Sequence, residues 1–190
     1  MNHYRYWKVV LDCILSVVLI VLFLPLMILL FIIVSIDTRS NGIFCQRRVG
    51  QFGKTFIIYK FKTLKEPEKE SSATGLLLRK LKLDELPQLF NILKGEMSFV
   101  GPRPDIEGYY DRLTGAERKV LDLKPGITSE ASIKYSNEEA LLKAQENPLQ
   151  YNDEVLFPDK VHMSLRYLEN MSFSEDVKIL AKTVLKIFIQ

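Results

Sequence analysis

Residues 82–104 read KLDELPQLFNILKGEMSFVGPRP, and this stretch decides the local fold. The adjacent acids Asp84 and Glu85 precede Pro87, and apolar residues at helical spacing follow. Proline is tolerated in the first turn of a helix, where its missing N–H would be unpaired anyway. The pattern therefore predicts a helix that starts near Leu86, with both carboxylates at its electropositive N-terminal end.

The end of the same stretch adds cations beside these acids. Lys94 and Gly95 supply a basic last turn and a helix stop, and residues 101–104 (GPRP) form a rigid cationic loop. Ionised acids beside an arginine, with room for a divalent cation, suit phosphoryl chemistry. Taken alone, however, two acids before a helix are more often ordinary capping residues than a catalytic pair.

The wider context of the acid pair resembles the bacterial sugar transferases, the monotopic phosphoglycosyl transferases that load a sugar phosphate onto undecaprenyl phosphate. The resemblance is ordered along the chain and covers most of residues 4–128. Besides residues 83–91 and 101–104, it includes Gln46, Arg48 and Gly50 (Gln-x-Arg-x-Gly), residues 59–63 (YKFKT), Arg79, and residues 124–128 (KPGIT).

This resemblance implies transfer of a sugar 1-phosphate from a UDP-sugar to undecaprenyl phosphate, with release of UMP. Asp84 is then the nucleophile, because a carboxylate can attack a phosphoryl centre to form an acyl phosphate. Glu85 is either a metal ligand or the general base for the acceptor phosphate, and the sequence does not separate these roles. Mg²⁺ held by Asp84 and Glu85 would neutralise the donor diphosphate.

Further residues are predicted to bind phosphate or nucleotide. Arg79 and Arg103 offer planar, bidentate donors to phosphate, and Lys60 is another phosphate-binding candidate. By resemblance, the loop formed by Pro102, Arg103 and Pro104 lies near the nucleotide. Arg48 is ranked lower, because it could equally be a structural ion-pair partner.

The chain departs from the family pattern after residue 128. Many relatives continue with Gly-Leu-Ala-Gln-Val-Asn-Gly-Arg, whereas residues 129–137 here read SEASIKYSN and contain no arginine. Lys134 is the substitute that the sequence offers for that positive charge.

Residues 13–36 form an apolar run without a formal charge, and 24 residues are enough to cross a bilayer core that needs about 20. A cleaved signal peptide would have a shorter apolar region and a small-residue cleavage site. A single-pass anchor is the other alternative. Cations flank both ends of the run, however, so the positive-inside rule does not predict which end would lie in the cytoplasm. Pro25 would weaken the helix in mid-run. We therefore predict a re-entrant helix–break–helix over residues 1–37, which enters and leaves the bacterial inner membrane on the cytoplasmic face.

Residues 38–190 are predicted to be the cytoplasmic catalytic domain, in an α+β, mostly helical fold with a small β-hairpin formed by residues 42–49 and 55–61. Residues 39–103 contain 13 Lys and Arg against 6 Asp and Glu, whereas residues 104–190 contain 11 against 15. A basic half beside a membrane attracts anionic headgroups and phosphorylated substrates. Nucleic acid is set aside as a partner, because no recognised nucleic-acid motif accompanies this charge.

Several questions stay open at the level of sequence. The residues do not identify the sugar of the donor. The short chain resembles small family members that often take N-acetylated amino sugars, which favours a sugar of that class. Homo-oligomers and pathway glycosyltransferases are left open as further partners. Two alternative functions are a catalytically inactive, membrane-anchored interaction module and an ordinary glycosyltransferase that releases UDP.

Overall fold

A computed structural model describes residues 3–65 and 70–189. It confirms the predicted class, an α+β, mostly helical fold with one long apolar N-terminal helix and a small antiparallel hairpin. Within these described residues, the strands lie in three two-stranded sheets.

The N-terminal helix α1 (Tyr4–Thr38) has 35 residues and is roughly 52 Å long at 1.5 Å per residue. It is long and apolar enough to cross a membrane by length and composition. Pro25 lies inside α1, which is a single helix from Tyr4 to Thr38. The break at Pro25, the re-entrant path and the boundary at residue 37 stay predictions.

Both ends of α1 form polar contacts with the rest of the protein. Near its start, the Lys8 ammonium donates to the Asp176 carboxylate at 2.5 Å, in the interior. Near its end, Asp37 accepts a hydrogen bond from Ser72 and forms an ion pair with Lys65 at 3.2 Å. One face of α1 therefore lies along the folded domain, while most of its remaining apolar side chains are exposed.

The hairpin consists of β1 (Ile43–Val49) and β2 (Thr55–Phe61), which pair antiparallel with Ile43 opposite Phe61. A short 3₁₀ turn, Gln51–Gly53, joins them, and Gly53 has φ +77°, which suits glycine. The hairpin matches the predicted residues closely. Because strand side chains alternate between faces, Phe56, Ile58 and Lys60 share one face of β2, with Phe56 and Ile58 in the core and Lys60 at the site described below. Phe61 lies on the opposite face and packs in a second buried cluster with Leu30 and Val34 of α1.

Two further short sheets follow. Strands β3 (Leu64–Lys65) and β4 (Glu70–Ser71) pair antiparallel, and β5 (Ser98–Val100) pairs in parallel with β6 (Gly126–Thr128). Where β5 ends, Gly101 and Gly126 face each other so closely that a Cβ on either would clash with backbone atoms. This contact fixes the start of the loop that carries Arg103.

The remaining helices are short until the C-terminal part of the chain. They are α2 (Ala73–Lys80), α3 (Gln88–Leu93), α4 (Glu130–Lys134), α5 (Glu138–Lys143), α6 (Pro148–Tyr151), α7 (Phe157–Asn170) and α8 (Phe173–Ile189). Short 3₁₀ segments lie at Leu83–Glu85, Tyr110–Arg112 and Glu117–Asp122, and a π-helical turn lies at Asn152–Leu156.

The central core joins these elements around α3. Leu89 and Ile92 of α3 pack with Phe56 and Ile58 of β2, and the core extends to Ile179 of α8. The segment that carries the two acids is therefore held by buried packing on the side of α3, so the acids are attached to a rigid element.

Candidate active site

The two acids lie in a separate 3₁₀ turn, Leu83–Glu85, before α3. Lys82 precedes this turn in the left-handed conformation, with φ 57°, which is uncommon for a non-glycine residue. Pro87 is the N-cap of α3, close to the predicted helix start. The reversal at Lys82 and the following turn direct both acidic side chains into the protein, where each is buried.

Glu85 is held by two cations. Its Oε1 accepts hydrogen bonds from the Lys60 ammonium at 2.8 Å and from Nη2 of Arg103 at 3.1 Å. Burial by itself would raise the pKa of Glu85, but the charges of Arg103 and Lys60 outweigh it and lower that pKa to about 2. Glu85 is therefore ionised at neutral pH and serves as the fixed centre between two cationic side chains.

Asp84 has a different environment from its neighbour. Its Oδ1 is buried and has no hydrogen-bond partner among the residues that the structure describes. Burial raises the pKa of Asp84, and the charge of Glu85 raises it further, although Lys60, Lys82 and Arg79 oppose both effects. Buried polar atoms without a partner are uncommon in native proteins and are a recognised feature of functional sites. This oxygen can attack an electrophile or bind a cation.

Both acids line an open cleft of about 620 Å³, which we call the basic cleft. Three carboxylates line it, those of Asp84, Glu85 and Glu139. They are outnumbered by seven cationic side chains, from Arg48, Lys60, Lys62, Arg79, Lys80, Lys82 and Arg103. Clefts of one charge sign raise the local concentration of oppositely charged ligands. The basic cleft therefore suits a ligand with several negative charges.

The structure brings most of the predicted site residues to this cleft. Arg79 is positioned from α2 by a hydrogen bond from its Nε to Oγ1 of Thr63 at 2.7 Å. Arg48 lines the cleft and also pairs with Asp105 at 3.8 Å, so the two explanations offered for it are compatible. Its Nε is buried without a partner among the described residues.

The prolines of the predicted site have different positions. Pro104 lines a smaller pocket of about 130 Å³ beyond Arg103, together with Arg48 and Lys60. Pro102 lies outside the basic cleft and this pocket, and its carbonyl accepts a hydrogen bond from the N–H of Gly126 at 2.8 Å. Pro25 lies in α1 and lines neither cavity.

One expectation about the site is wrong, and three charged residues were missed. Lys134 does not replace the missing arginine, because it pairs with Asp159 at 2.7 Å on the surface and lines neither cavity. Lys62, Lys82 and Glu139 line the cleft without having been predicted, whereas Lys80 follows Arg79 on the helix that the sequence directs towards the acids. Lys62 belongs to the YKFKT motif and Lys82 lies two residues before Asp84, so both could have been predicted from their positions in the sequence. Nothing in the sequence around Glu139 indicates that it lines the cleft.

The donor set is compatible with Mg²⁺. Among residues 3–65 and 70–189, no group of three or more His, Cys, Asp or Glu side chains could hold a metal ion by itself. Mg²⁺ is, however, commonly bound by only one or two carboxylates together with substrate phosphates and water. The unpartnered Oδ1 of Asp84 fits that arrangement better than Glu85, whose Oε1 already accepts from two cations.

Comparison with known proteins gives a family match over nearly the whole chain. The family model described as "Bacterial sugar transferase" matches residues 3–190. The chain is also 35% identical over 168 residues to the uncharacterized sugar transferase EpsL of Bacillus subtilis (strain 168), covering 83% of this chain and 75% of EpsL.

Two longer relatives have names that state an activity. The chain is 31% identical to the undecaprenyl-phosphate galactose phosphotransferase of Salmonella typhimurium, covering 94% of this chain and 40% of that protein. It is 29% identical to the UDP-N-acetylgalactosamine-undecaprenyl-phosphate N-acetylgalactosaminephosphotransferase of Aeromonas hydrophila, covering 95% of this chain and 43% of that protein. The chain thus spans less than half the length of these two relatives.

Proposed function

The chain belongs to the bacterial sugar transferase family, and from this premise we propose that it transfers a sugar 1-phosphate from a UDP-sugar to undecaprenyl phosphate, releasing UMP. The reaction would be the first membrane step in assembling a glycoconjugate. The names of the Salmonella and Aeromonas relatives support the acceptor and the reaction type. The single observation that carries the proposal is the unpartnered Oδ1 of Asp84 at a cleft lined by seven cations.

The first step takes place in the basic cleft. An oxygen of the Asp84 carboxylate attacks the phosphorus that bears the sugar, and a new bond forms between this oxygen and phosphorus. The bond from phosphorus to the bridging oxygen of the diphosphate breaks, and its electron pair leaves with UMP. The cations of the cleft, Arg79 and Arg103 among them, stabilise the negative charge that develops on the leaving phosphate. The products are an acyl phosphate on Asp84 and free UMP.

The second step regenerates the carboxylate. A phosphate oxygen of undecaprenyl phosphate attacks the same phosphorus, and the bond from phosphorus to the Asp84 oxygen breaks. The sugar is now joined to the lipid through a diphosphate. A covalent intermediate separates the soluble donor from the membrane acceptor, so the two substrates need not be bound in one encounter.

The proposed roles of Asp84 and Glu85 follow from their environments. Asp84 is the nucleophile because its Oδ1 has no partner among the described residues and its ionised form is less stabilised than that of Glu85. Glu85 is a poor general base, because a carboxylate with a pKa of about 2 has little affinity for a proton at neutral pH. We assign it the task of holding Lys60 and Arg103 in position.

Mg²⁺ is the proposed cofactor, held by Asp84 with Glu85 nearby and by the phosphates of the donor. When bound, it supplies positive charge that neutralises the diphosphate of the donor. The side chains of Lys60, Arg79 and Arg103 orient that diphosphate by hydrogen bonds.

The proposed location is the inner membrane, with the catalytic domain on the cytoplasmic face, where UDP-sugars occur. Contacts of Lys8 with Asp176 and of Asp37 with Lys65 support a re-entrant path for α1. A helix that crossed a hydrocarbon core about 30 Å thick would carry one end away from the domain. The exposed apolar face of α1 would then lie in one leaflet.

The named relatives differ, since one acts on N-acetylgalactosamine phosphate and the other on galactose phosphate. We propose an N-acetylated amino sugar, on the resemblance to the small members of the family.

Product analysis tests the proposed function. The protein in detergent or nanodiscs is incubated with undecaprenyl phosphate, Mg²⁺ and each of a panel of UDP-sugars, and the released nucleotide is identified. We expect UMP with at least one donor. Release of UDP would indicate an ordinary glycosyltransferase, and no release from any donor would favour an inactive interaction module.

A further inference from the structure

A second cavity, of about 360 Å³, lies between α1, α4 and α8 on another side of the acid pair. We call it the apolar groove, because hydrophobic side chains supply most of its wall. They include Leu19 and Phe23 of α1, Leu89 of α3, Phe99 of β5, Ile127 of β6 and Ile133 of α4. Its volume is within the usual range for ligand sites, roughly 300–1,000 Å³.

The apolar groove is adjacent to both the membrane helix and the basic cleft. Leu19 and Phe23 belong to the apolar run of α1, so the groove adjoins the surface that lipid would cover. At its other side, Lys82, Glu85 and Arg103 line the groove and the basic cleft alike. The groove therefore connects the membrane helix with Glu85 and, through the residues that it shares with the basic cleft, with the cleft in which Asp84 lies.

Two lysines of the groove form no direct ion pair with the described residues of the protein. Lys82 and Lys186 line it, and neither has a carboxylate within 4 Å among the residues that the structure describes. Lys186 extends from α8, whose sequence is amphipathic and basic.

The acidic side chains of the groove, in contrast, are all paired. Glu138 forms an ion pair with Lys160 at 2.6 Å, and Glu139 with Lys143 at 2.7 Å. Glu85 accepts from two cations, as described above. The groove thus combines an apolar wall with two lysines that lack a direct ion pair, and it suits an anionic head attached to an apolar tail.

We propose that the apolar groove binds the acceptor lipid, with its phosphate at Lys82 and Lys186 and the first part of its single chain along Leu19, Phe23 and Ile133. This proposal rests on the proposed function. A polyprenyl phosphate carries its phosphate directly on one chain, so its head can reach the acid pair while the chain follows the groove. A glycerophospholipid carries its phosphate as a diester beside two chains and has no free phosphate with which to attack.

The arrangement assigns each half-reaction its own binding surface. The donor occupies the basic cleft in the first step, and the acceptor enters along the groove in the second step. Lys186 lines only the groove, whereas Lys82 lines both cavities. Loss of Lys186 should therefore affect the second half-reaction alone, as a residue that binds only the acceptor.

The test compares Lys186→Gln with Lys182→Gln, a matched neutralisation on α8. Lys182 is exposed and lines neither the groove nor the cleft. UMP release without acceptor reports the first half-reaction, and formation of lipid-linked sugar at varied undecaprenyl phosphate reports the second. We expect Lys186→Gln to raise the KM for the acceptor about tenfold, the effect of losing one charge-assisted hydrogen bond. UMP release without acceptor should be unchanged, and Lys182→Gln should match the wild type in both assays.

A second variant tests the apolar wall without changing charge. Ile133→Trp fills the groove and should weaken acceptor use while UMP release without acceptor persists, which also shows that the protein is folded. An unchanged acceptor KM in both Lys186→Gln and Ile133→Trp would overturn the inference. A wild-type protein that released no UMP from any donor would instead contradict the proposed function. Equal inhibition of the second step by phosphatidylglycerol and by a non-transferable polyprenyl phosphonate would show a general lipid site and also overturn the inference.

Discussion

Asp84 and Glu85 are adjacent in one buried turn, yet their carboxyl groups have opposite electrostatic environments. Glu85 accepts from Lys60 at 2.8 Å and from Arg103 at 3.1 Å, whereas Oδ1 of Asp84 has no partner among the described residues. Environment thus lowers the pKa of one acid and raises that of the other. Pairs of titratable groups whose pKa values are separated in this way are a recognised basis for distinct catalytic roles.

Asp84→Asn should abolish UMP release and raise stability at neutral pH. The raised pKa means that folding disfavours the charged carboxylate, so the neutral amide removes that cost at pH 7. We expect a gain of about 1 kcal/mol in the free energy of unfolding, a usual size for a substitution that trades activity for stability. Urea denaturation measures the gain, and it should disappear at a pH where Asp84 is protonated in both states. Glu117→Gln neutralises an exposed carboxylate that lines none of the cavities, so it is the control and should alter neither property.

Glu85→Gln should destabilise the protein, because it leaves Lys60 and Arg103 without their shared carboxylate. Glu85 is buried, but Lys60 is partly exposed and Arg103 is exposed, so we expect a cost of about 2 kcal/mol, between the values for surface and buried ion pairs. The folded pKa is depressed, so this stabilisation is complete above the ordinary pKa of 4.5 and is lost as pH falls towards about 2. The difference in unfolding free energy between wild type and Glu85→Gln should therefore narrow over that window. A difference that stays constant with pH would contradict the assigned pairing. The variant should still fold at pH 7 and should release UMP very slowly.

On acidification, the rate of the first half-reaction should begin to fall at a higher pH than it would if Asp84 had the pKa of an ordinary aspartate. The attack needs ionised Asp84, and burial raises its pKa above the usual 3.8. Lys82 opposes that increase, so Lys82→Gln should move the midpoint of single-turnover UMP release to still higher pH. The same midpoint for Lys82→Gln and the wild type would show that Asp84 ionisation does not limit this step. Lys182→Gln serves as the charge-matched control.

Arg103→Lys should reduce kcat/KM for the donor about 10- to 100-fold while leaving the fold intact. Lysine keeps the positive charge and can still pair with Glu85, but it lacks the planar guanidinium that binds phosphate in a bidentate manner. Steady-state UMP release at varied donor concentration measures the effect. Wild-type kinetics in Arg103→Lys would indicate that position 103 supplies charge only.

The hairpin could be predicted from sequence because its signal is local: two short runs rich in Ile, Phe and Tyr flank the turn residues 50–53. Pro87 likewise indicates the helix start, whereas the acid pair needed the surrounding motifs to distinguish it from ordinary capping residues. The pairing of Lys8 with Asp176 could not be predicted, because it joins positions at opposite ends of the chain. The apolar groove was missed for the same reason, since it exists only once α8 packs beside α1 and α4. Lys134 was misassigned because its actual partner, Asp159, lies in a different helix.

The path of α1 can be tested by labelling. In a background without Cys13 and Cys45, single cysteines at positions 3 and 41 are exposed to an impermeant thiol reagent in intact cells. A re-entrant path protects both positions until the inner membrane is opened, because both helix ends then lie in the cytoplasm. Labelling of position 3 alone in intact cells would indicate a helix that crosses the membrane. Pro25→Ala should shift some molecules towards that crossing form, because it restores a helix hydrogen bond in mid-run.

The covalent step on Asp84 is the central claim, and intact mass spectrometry tests it most directly. The protein is incubated with Mg²⁺ and an accepted UDP-sugar without any lipid acceptor, and the mass and the released nucleotide are measured together. We predict a mass increase equal to one sugar phosphate, matched by one equivalent of UMP, absent in Asp84→Asn and lost when undecaprenyl phosphate is added. UMP release that requires the lipid, with no adduct on Asp84 at any time, would contradict this account and indicate direct transfer.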